Sequence, residues 1–499
     1  MRSLSKSKLL AFRQCTRRLW LEVHRPELRE DAAATQARFA AGHEVGDIAR
    51  RLYDPKGAGV LLDAQVDGFD AVFARTRELL RSNQPIFEAA FRTDGALALA
   101  DVMLPVEEEG RLAWRMVEVK SSTSVKNYHR DDAAVQSFIA RSSGVPLAAV
   151  ALAYVNSSWV YPGNDDYQGL LLESDLTDEA FVRGEEVRGW ITEAQHVVAK
   201  QVEPSVTTGK HCGTPFACGF LAYCRSREPQ AEQPIAWLPG QLRQELQAHI
   251  EAQGLTELRD LPDELLNEKQ QRVKAATLTG IPYFDRNAAA AALAAHKLPA
   301  CFLDFETIQF VVPIWEGTRP YQQIPFQFSA HHLSPAGELE HRAFLDLSGQ
   351  DPSQAFAEAL ISACGELGPI YVYNAAFETT RIRELAERFP QLARSLLALN
   401  QRVVDLLPVA REHYYHPSQQ GSWSIKAVLP ALCPELSYVA LDGVQDGGTA
   451  TAAYLEALAP QTGNQRKEAL KQQLLDYCKL DTYAMVRLWA IFTGTALKV

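Results

Sequence analysis

The sequence has no run of about eighteen or more apolar residues, the length that a membrane-spanning helix requires. The opening residues, MRSLSKSKLLAFRQC, also lack the apolar stretch and cleavage site of a signal peptide. We therefore expect a cytoplasmic protein without a membrane partner. Cysteine is scarce, at eight residues in 499, and a reducing compartment favours buried thiols or metal ligands over disulfides.

The chain also lacks an excess of basic residues. Its formal net charge of −11 argues against nucleic-acid binding through overall positive charge. A nuclease remains open, because metal-binding carboxylates add negative charge where catalysis happens. Residues 1–20 differ from the rest, since they contain no acid and could form either a phosphate-binding patch or a solvated helix face. The basic residues of this stretch are Arg2, Lys6, Lys8, Arg13, Arg17 and Arg18.

The length predicts two or three domains, because one ordinary hydrophobic core does not serve 499 residues. Residues 1–228 mix helix and strand patterns and end in a group of cysteines. Residues 229–297 predict a linker of short helices, in which GLTELRDLP fits a helix-hairpin-helix unit or, better, two packed spacer helices. Residues 298–499 begin with the apolar strand ACFLDFETIQF and predict a second α/β domain.

Two acids and a lysine stand in neighbouring apolar runs of the first domain. Asp101 lies in LALADVMLP, and Glu118 and Lys120 lie in RMVEVKSS. Strand alternation puts Glu118 and Lys120 on one face, and a hairpin through residues 107–110 would bring Asp101 beside them. Two carboxylates can hold Mg²⁺, and an adjacent lysine can orient water and stabilise phosphate charge. A salt-bridged strand pair without a metal is the alternative reading of the spacing.

Residues around this group extend the pattern. His43 lies in the amphipathic helix pattern RFAAGHEVGDIARRLY, Glu88 in the strand pattern PIFEAAF, and Gln136 in the helix pattern that follows the lysine. The set resembles the PD-(D/E)XK superfamily, specifically the RecB-like nucleases with an iron–sulfur cluster, such as the CRISPR-adaptation exonucleases and the AddB subunit. The family's Q-x3-Y signature is not met, because Ala140 takes the place of the tyrosine.

The resemblance implies a restriction-endonuclease-like domain with one nuclease site. Its implied metal ligands are His43, Asp101 and Glu118, and its implied catalytic residues are Asp101, Glu118, Lys120 and Gln136.

Three cysteines, Cys212, Cys218 and Cys224, stand six residues apart in HCGTPFACGFLAYC. The resemblance implies a distant fourth ligand near the N-terminus, which here is Cys15. Four thiolates suit a [4Fe–4S] cluster or a tetrahedral Zn²⁺, and the resemblance favours the [4Fe–4S] cluster. Such a site would join the first helix to the end of the domain. The family's usual C-x2-C pair is C-x5-C-x5-C here, which leaves the metal open.

The second domain carries four acids and a tyrosine. Asp304 and Glu306 share one face of the strand CFLDFETIQF, and Glu378 follows the strand pattern that ends at Asn374. Tyr477 and Asp481 are four residues apart in LLDYCKLDTYAMVRLW and therefore share one face of a helix. Carboxylates buried side by side are unfavourable unless cations neutralise them, so the pattern indicates a metal site.

In order, these segments read D-x-E, N-x2-F-(D/E) and Y-x3-D and resemble the DnaQ-like DEDDy exonucleases, which have an RNase H-like fold. The resemblance covers roughly 298–499. It implies that Tyr477 orients water and that four acids hold two Mg²⁺ or Mn²⁺ ions. The implied acids are Asp304, Glu306, Glu378 and Asp481. Because Glu378 replaces the family's aspartate, Asp405 is the alternative fourth ligand unless it is structural.

The two resemblances imply an α/β multidomain protein in which a PD-(D/E)XK domain is joined by a helical linker to an RNase H-like domain. The expected activity is that of a metal-dependent DNA exonuclease with two sites, of which the C-terminal one works 3′→5′. The expected partner is nucleic acid, above all single-stranded DNA, together with repair or defence proteins such as a helicase. Three alternatives stay open: a single catalytic site beside a nucleic-acid-binding platform, RNA processing, and a non-enzymatic role with inert carboxylates.

Overall fold

The computed structural model describes residues 2–31 and 33–497, and the backbone alone for residues 33–40. The chain divides into two compact units, each with its own sheet and core. Unit 1 comprises Met1–Gln230 and Phe310–Gln322, and unit 2 comprises Ala231–Gln309 and Gln323–Val499. The predicted linker thus belongs almost wholly to unit 2 and forms no body of its own.

About 47% of the chain is helix and 18% is strand, and both units mix the two, so this is a multidomain α/β protein. Within the described ranges, no helix has the length and apolar character needed to cross a membrane.

Unit 1 is a mixed sheet with helices around it. Its strands are β1 (Leu4–Ser5), β2 (Val60–Leu61), β3 (Ile86–Thr93), β4 (Ala96–Glu108), β5 (Arg111–Lys120), β6 (Leu147–Val155) and β7 (Leu171–Asp175). Its helices are α1 (Lys6–Gln14), α2 (Thr16–His24), α3 (Ala33–Tyr53), α4 (Phe69–Leu79), α5 (Asn127–Ser142), α6 (Thr177–Val182), α7 (Gly184–Ala199) and α8 (Leu221–Ser226).

The unit 1 sheet has the strand order β2-β3-β4-β5-β6-β7, with β1 parallel to β4. The predicted hairpin through residues 107–110 is present, because β4 and β5 pair antiparallel around that turn. Strands β5 and β6 are parallel, so the chain must cross over between them, and α5 makes the crossover. Helix α5 buries most of its length against β3, β4 and β6, which places its inner face beside the end of β5.

Unit 2 holds the remaining elements. Its strands are β8 (Tyr283–Phe284), β9 (Ala300–Ile308), β10 (Ile324–Leu333), β11 (Leu339–Leu345), β12 (Ile370–Val372), β13 (Val403–Asp405) and β14 (Tyr414–Tyr415). Its helices are α9 (Gln244–Gln253), α10 (Glu268–Thr279), α11 (Arg286–Leu293), α12 (Ser353–Cys364), α13 (Ala376–Arg388), α14 (Ala393–Asn400), α15 (Leu406–His413), α16 (Ile425–Leu432), α17 (Gly447–Leu458) and α18 (Asn464–Thr493).

Strand β9 is the centre of the five-stranded sheet β11-β10-β9-β12-β13, antiparallel to β10 and parallel to β12. Its side chains alternate between two hydrophobic cores. Phe302 packs in the core that contains Trp489 of α18, and Leu303 and Phe305 pack in the core that contains Phe356 of α12. Even-numbered residues of β9 therefore face α18, and this alternation decides where the acids of the strand point.

The stretch GLTELRDLP connects α9 to α10. Gly254 ends α9 in the left-handed conformation, with a φ of 63°, and two short 3-10 turns follow at Leu258–Asp260 and Asp263–Leu265. Leu258 and Leu261 pack against Leu246 of α9 in a small core of leucines. The two helices and their connection form a packed spacer within unit 2.

Candidate functional sites

The unit 2 carboxylate site consists of Asp304 and Glu306 on β9, Glu378 on α13, and Tyr477 and Asp481 on α18. Ligand oxygens of Asp304, Glu306 and Asp481 all lie within 4.8 Å of one another. They meet because residues 304 and 306 share the face of β9 that points at α18, where residues 477 and 481 lie one turn apart. The structure thus brings three of the four predicted acids to one point.

Glu378 and Asp405 lie near this point in different roles. Glu378 is buried in the first turn of α13, close enough to Asp304 for each residue to affect the pKa of the other. Asp405 accepts hydrogen bonds from the backbone N–H groups of Asn374 (2.9 Å) and Ala375 (3.0 Å), and its side chain also caps α15 through Leu407 (2.9 Å). Both oxygens of Asp405 are therefore engaged in holding backbone.

Burial and mutual repulsion raise the pKa values of these acids. Burial, reinforced by Asp481, raises the pKa of Glu306 to about 8, and burial raises that of Asp481 to about 6. The pKa of Asp304 lies well above its ordinary value because of burial and the charges of Asp481 and Glu378. Lys426 is a nearby cation that opposes these shifts. The site is a buried concentration of negative charge.

Tyr438 is a residue that the sequence did not reveal. It lies buried in a short 3-10 turn, and its hydroxyl donates a 2.6 Å hydrogen bond to Asp481 Oδ1. Tyr477 lies next to Asp481 and lowers its pKa, and the two tyrosine rings are 6.2 Å apart. Burial and the negative charge of Asp481 raise the pKa of Tyr477, so its phenol stays protonated at neutral pH. The turn has no periodic pattern from which Tyr438 could have been found.

The unit 1 carboxylate site lies where the β4–β5 hairpin meets α5. Asp101 Oδ2 accepts a hydrogen bond from the backbone N–H of Val119 at 2.7 Å, so the hairpin places both acids together. Lys120 Nζ lies 2.5 Å from Glu118 Oε1. Gln136 donates from Nε2 to Glu118 Oε2 at 2.5 Å and to the carbonyl of Leu99 at 3.0 Å. Four of the residues predicted for this site are therefore in one group.

Lys6 and Asp132 belong to this group but were not predicted for it. Lys6 Nζ lies 2.7 Å from Glu118 Oε1 and 3.4 Å from Asp132 Oδ1. Lys120 Nζ lies 2.6 Å from Asp132 Oδ2. The four-residue spacing of Asp132 and Gln136 on α5 was the available signal, since it puts both on one helix face. Nothing local in the sequence assigns Lys6 to Glu118, because 112 positions separate them.

The two acids of the unit 1 site have opposite pKa shifts. Burial and the charge of Glu118 raise the pKa of Asp101 to about 8. Burial alone would also raise the pKa of Glu118, but the ammonium groups of Lys120 and Lys6 outweigh it and hold the pKa below its usual range. Although burial opposes it, the charges of Asp132 and Glu118 hold the pKa of Lys120 well above its ordinary value. Lys120 is therefore an ammonium at neutral pH.

His43 and Glu88 are the two other residues that the sequence pattern associates with this site. His43 is exposed on α3, and across residues 2–31 and 33–497 no hydrogen bond or ion pair joins it to Asp101 or Glu118. Glu88 lies opposite Asp101 in the β3–β4 register but leaves the ladder, with a φ of 58° that is unusual for a non-glycine residue. Burial and the charge of Glu118 raise the pKa of Glu88, which indicates that its carboxylate faces the site.

Cys15, Cys212, Cys218 and Cys224 line one small cavity of unit 1, which we call the four-cysteine cavity. All four are free thiols. Gln14 holds α1 to this region by donating hydrogen bonds to the carbonyls of His211 (2.6 Å) and Phe216 (2.7 Å). Burial, with a contribution from the other three cysteines, raises the pKa of Cys224 to about 11. In the part of the chain that the structure describes, no three of the sulfur atoms lie within 4.8 Å of one another.

Comparison with protein families gives a match between residues 301–424 and a family described as a domain of unknown function, DUF2779. The match covers about a quarter of the chain. It contains Asp304, Glu306 and Glu378 and ends before Tyr477 and Asp481. A search of curated proteins gives no significant match. These comparisons assign no activity, so the functional argument depends on the sites themselves.

Proposed function

We propose that the protein is a metal-dependent nuclease that hydrolyses phosphodiesters of single-stranded or end-processed DNA, in repair, recombination or anti-phage defence. Unit 2 would be a DnaQ-like DEDDy exonuclease domain of the RNase H-like fold that works 3′→5′. Unit 1 would be a RecB-like PD-(D/E)XK domain. The observation that carries the proposal is the convergence of Asp304, Glu306 and Asp481 within 4.8 Å, beside Tyr477.

The unit 2 carboxylate site has the chemistry of a site for Mg²⁺ or Mn²⁺. Its donors are carboxylate oxygens, which both ions prefer, and burial together with the neighbouring carboxylates raises the pKa values of Asp304 and Glu306. Asp304, Glu306 and Asp481 would hold the ions, and Glu378 adjoins them through Asp304. A bound divalent ion would neutralise phosphate charge and lower the pKa of water.

The tyrosines supply fixed hydrogen-bond donors and acceptors beside these acids. Tyr477 is a neutral phenol at working pH, so it can orient an attacking water without carrying charge. Tyr438 holds Asp481 through its 2.6 Å hydrogen bond. Lys426 lies with its Nζ 4.8 Å from the centre of the Tyr477 ring, where its charge offsets part of the acid cluster.

The unit 1 carboxylate site fits a single divalent ion less simply. Asp101, with a raised pKa, is a natural ligand, but both oxygens of Glu118 already contact Lys6, Lys120 or Gln136. Lys120, as an ammonium, would stabilise developing phosphate charge rather than abstract a proton. The saturation of Glu118 favours a second candidate function, in which only unit 2 cleaves DNA or RNA and unit 1 is a nucleic-acid-binding platform.

The four-cysteine cavity is proposed to hold a [4Fe–4S] cluster. Tetrahedral Zn²⁺, with Zn–S bonds of about 2.3 Å, would require sulfur atoms roughly 3.8 Å apart. Among the described cysteines no three sulfurs are within 4.8 Å, which suits a larger group in which each thiolate binds a different iron. Such a cluster would tie Cys15, at the end of α1, to the segment around Cys212.

The test is cleavage of end-labelled single-stranded DNA and RNA with Mg²⁺ or Mn²⁺. Asp304→Ala should abolish release of nucleotides from the 3′ end, and Lys120→Ala should abolish a second activity. Glu338→Ala, which removes an exposed acid next to β11, is the matched control. If neither site variant changes cleavage, both site assignments are wrong. If only Asp304→Ala reduces cleavage, unit 1 is the nucleic-acid-binding platform. If RNA is cleaved in preference to DNA, the substrate is RNA.

A further inference from the structure

Four basic residues of the N-terminal stretch form ion pairs inside unit 1, namely Lys6, Arg13, Arg17 and Arg18. Arg17 pairs with Glu203 at 2.5 Å, and Arg18 pairs with Glu22 at 2.9 Å. Lys6 differs from these arginines, because both of its ion-pair partners belong to the unit 1 carboxylate site. One positive charge of the N-terminal stretch, that of Lys6, therefore lies in the unit 1 carboxylate site.

Lys6 and Lys120 form an alternating ring with Glu118 and Asp132. Each ammonium contacts both carboxylates, at N–O distances between 2.5 and 3.4 Å. The acid side chains are 1% and 4% exposed, whereas the lysine side chains are 19% and 24% exposed. Part of each lysine side chain therefore reaches solvent, whereas the two carboxylates with which the ammonium groups pair do not.

Asp132 gives this ring a property that a simple ion pair lacks. A lysine ammonium that leaves Glu118 to another cation must keep a second counter-ion. Without one it would be an unpaired buried charge, which is strongly unfavourable. Asp132 supplies the counter-ion for both lysines, with one oxygen toward each. An ammonium group has three donors, so each lysine retains donor capacity beyond its two carboxylates.

We propose that Lys6 is a second phosphate-binding lysine of the unit 1 carboxylate site and that Asp132 is the positioning residue that holds both ammonium groups there. This inference rests on the proposed function and names a substrate contact within it, a phosphate of the DNA backbone. Lys6 and Lys120 together form a pair of fixed positive charges that both contact Glu118 and Asp132. Lys6 reaches the site from α1, whose other end carries Cys15 at the four-cysteine cavity.

The test measures binding of a fluorescent single-stranded oligonucleotide in EDTA, so that no metal and no cleavage enter the result. Affinity is followed by anisotropy between about 50 and 200 mM salt. Lys6→Met removes the charge of Lys6 and leaves Lys120 paired with both Glu118 and Asp132. We expect the slope of log affinity against log salt to fall by about 0.7 and the affinity at about 0.1 M salt to fall about fivefold, the contribution of one phosphate contact.

Further variants complete the design. Lys6→Arg keeps the charge and should retain both affinity and slope. Lys56→Ala removes an exposed lysine from the turn after α3 and should also leave both unchanged. Lys6→Met combined with Asp132→Asn should lose a second contact, because Asp132 also holds Lys120, and its slope should fall by about 1.4. If Lys6→Met melts well below the wild type, Lys6→Gln removes the same charge and should show the same loss as Lys6→Met.

Each outcome bears on a different claim. Suppose that the wild type cleaves DNA and that Lys120→Ala abolishes this activity. If removal of the Lys6 charge then leaves affinity and slope unchanged, the role of Lys6 is overturned and the proposed function stays intact. An equal loss in Lys56→Ala would also overturn it, because the effect would then be one of general charge. A wild type that neither binds nor cleaves DNA would instead refute the proposed function.

Discussion

Glu306→Gln tests the unit 2 carboxylate site through stability as well as activity. The pKa of Glu306 is raised from 4.5 to about 8, so the folded protein binds a proton at neutral pH that the unfolded chain releases. Because the folded state binds more protons, its stability falls as pH rises between these two values. At pH 7 the difference amounts to about 3 kcal/mol, counted at 1.36 kcal/mol per pKa unit. Glutamine cannot ionise, so Glu306→Gln removes this loss of folding stability at high pH.

Metal-free Glu306→Gln should therefore be more stable than the wild type by up to about 3 kcal/mol near pH 7, and nearly equal to it near pH 4.5. For a unit of this size that corresponds to a melting temperature roughly 6–12 °C higher. With Mn²⁺ or Mg²⁺ the order should reverse at about a thousandfold excess over the dissociation constant, because the wild type then gains about 4.1 kcal/mol and the variant loses a ligand. Glu306→Gln would therefore stabilise the metal-free protein and weaken its binding of metal.

The assay is thermal denaturation of both proteins near pH 5 and pH 8, in EDTA and with each divalent ion. Glu338→Gln, at an exposed position next to β11, is the control and should change stability by less than about 0.5 kcal/mol. Destabilisation by Glu306→Gln in EDTA near pH 8 would refute the reasoning about buried charge. Equal stabilisation of the wild type and Glu306→Gln by the cations would refute the assignment of Glu306 as a ligand.

Three further substitutions give expected results. Tyr438→Phe removes the hydrogen bond that lowers the pKa of Asp481, so the acidic limb of the pH–activity profile should move to higher pH; an unmoved limb would contradict this role. Gln136→Ala removes both hydrogen bonds that this buried amide donates and should cost about 1–3 kcal/mol in urea unfolding, and a cost near zero would contradict the structure. Cys15→Ser should abolish visible absorbance and iron content. Cys433→Ser, which changes a buried cysteine of unit 2, should retain both. A colourless wild type that contains zinc would contradict the cluster.

Local periodicity was enough to predict the elements that carry the acids. The alternation of CFLDFETIQF placed residues 304 and 306 on one strand face, and β9 has this arrangement. The four-residue spacing of Tyr477 and Asp481 likewise predicted one helix face, which α18 presents to β9. Periodicity works here because it depends only on backbone geometry, which is the same in every strand and helix.

Partners from distant segments could not be predicted in this way. Lys6 and Tyr438 reach their carboxylates from the first helix and from an irregular turn, and no spacing rule connects such segments. The division of the chain also depends on tertiary contacts, because residues 310–322 group with unit 1 although they lie between two strands of unit 2. Such groupings follow from packing, which sequence order does not encode in any short pattern.

The sequence by itself determined the positions of the acids along regular elements and the spacing of the three late cysteines. Only the tertiary structure decided which charges neutralise which. In unit 1 two lysines saturate Glu118, whereas in unit 2 three acids meet with little positive charge around them. The physical reason is that the energy of a buried carboxylate depends on every charge within a few ångströms, and most of those charges come from elsewhere in the chain.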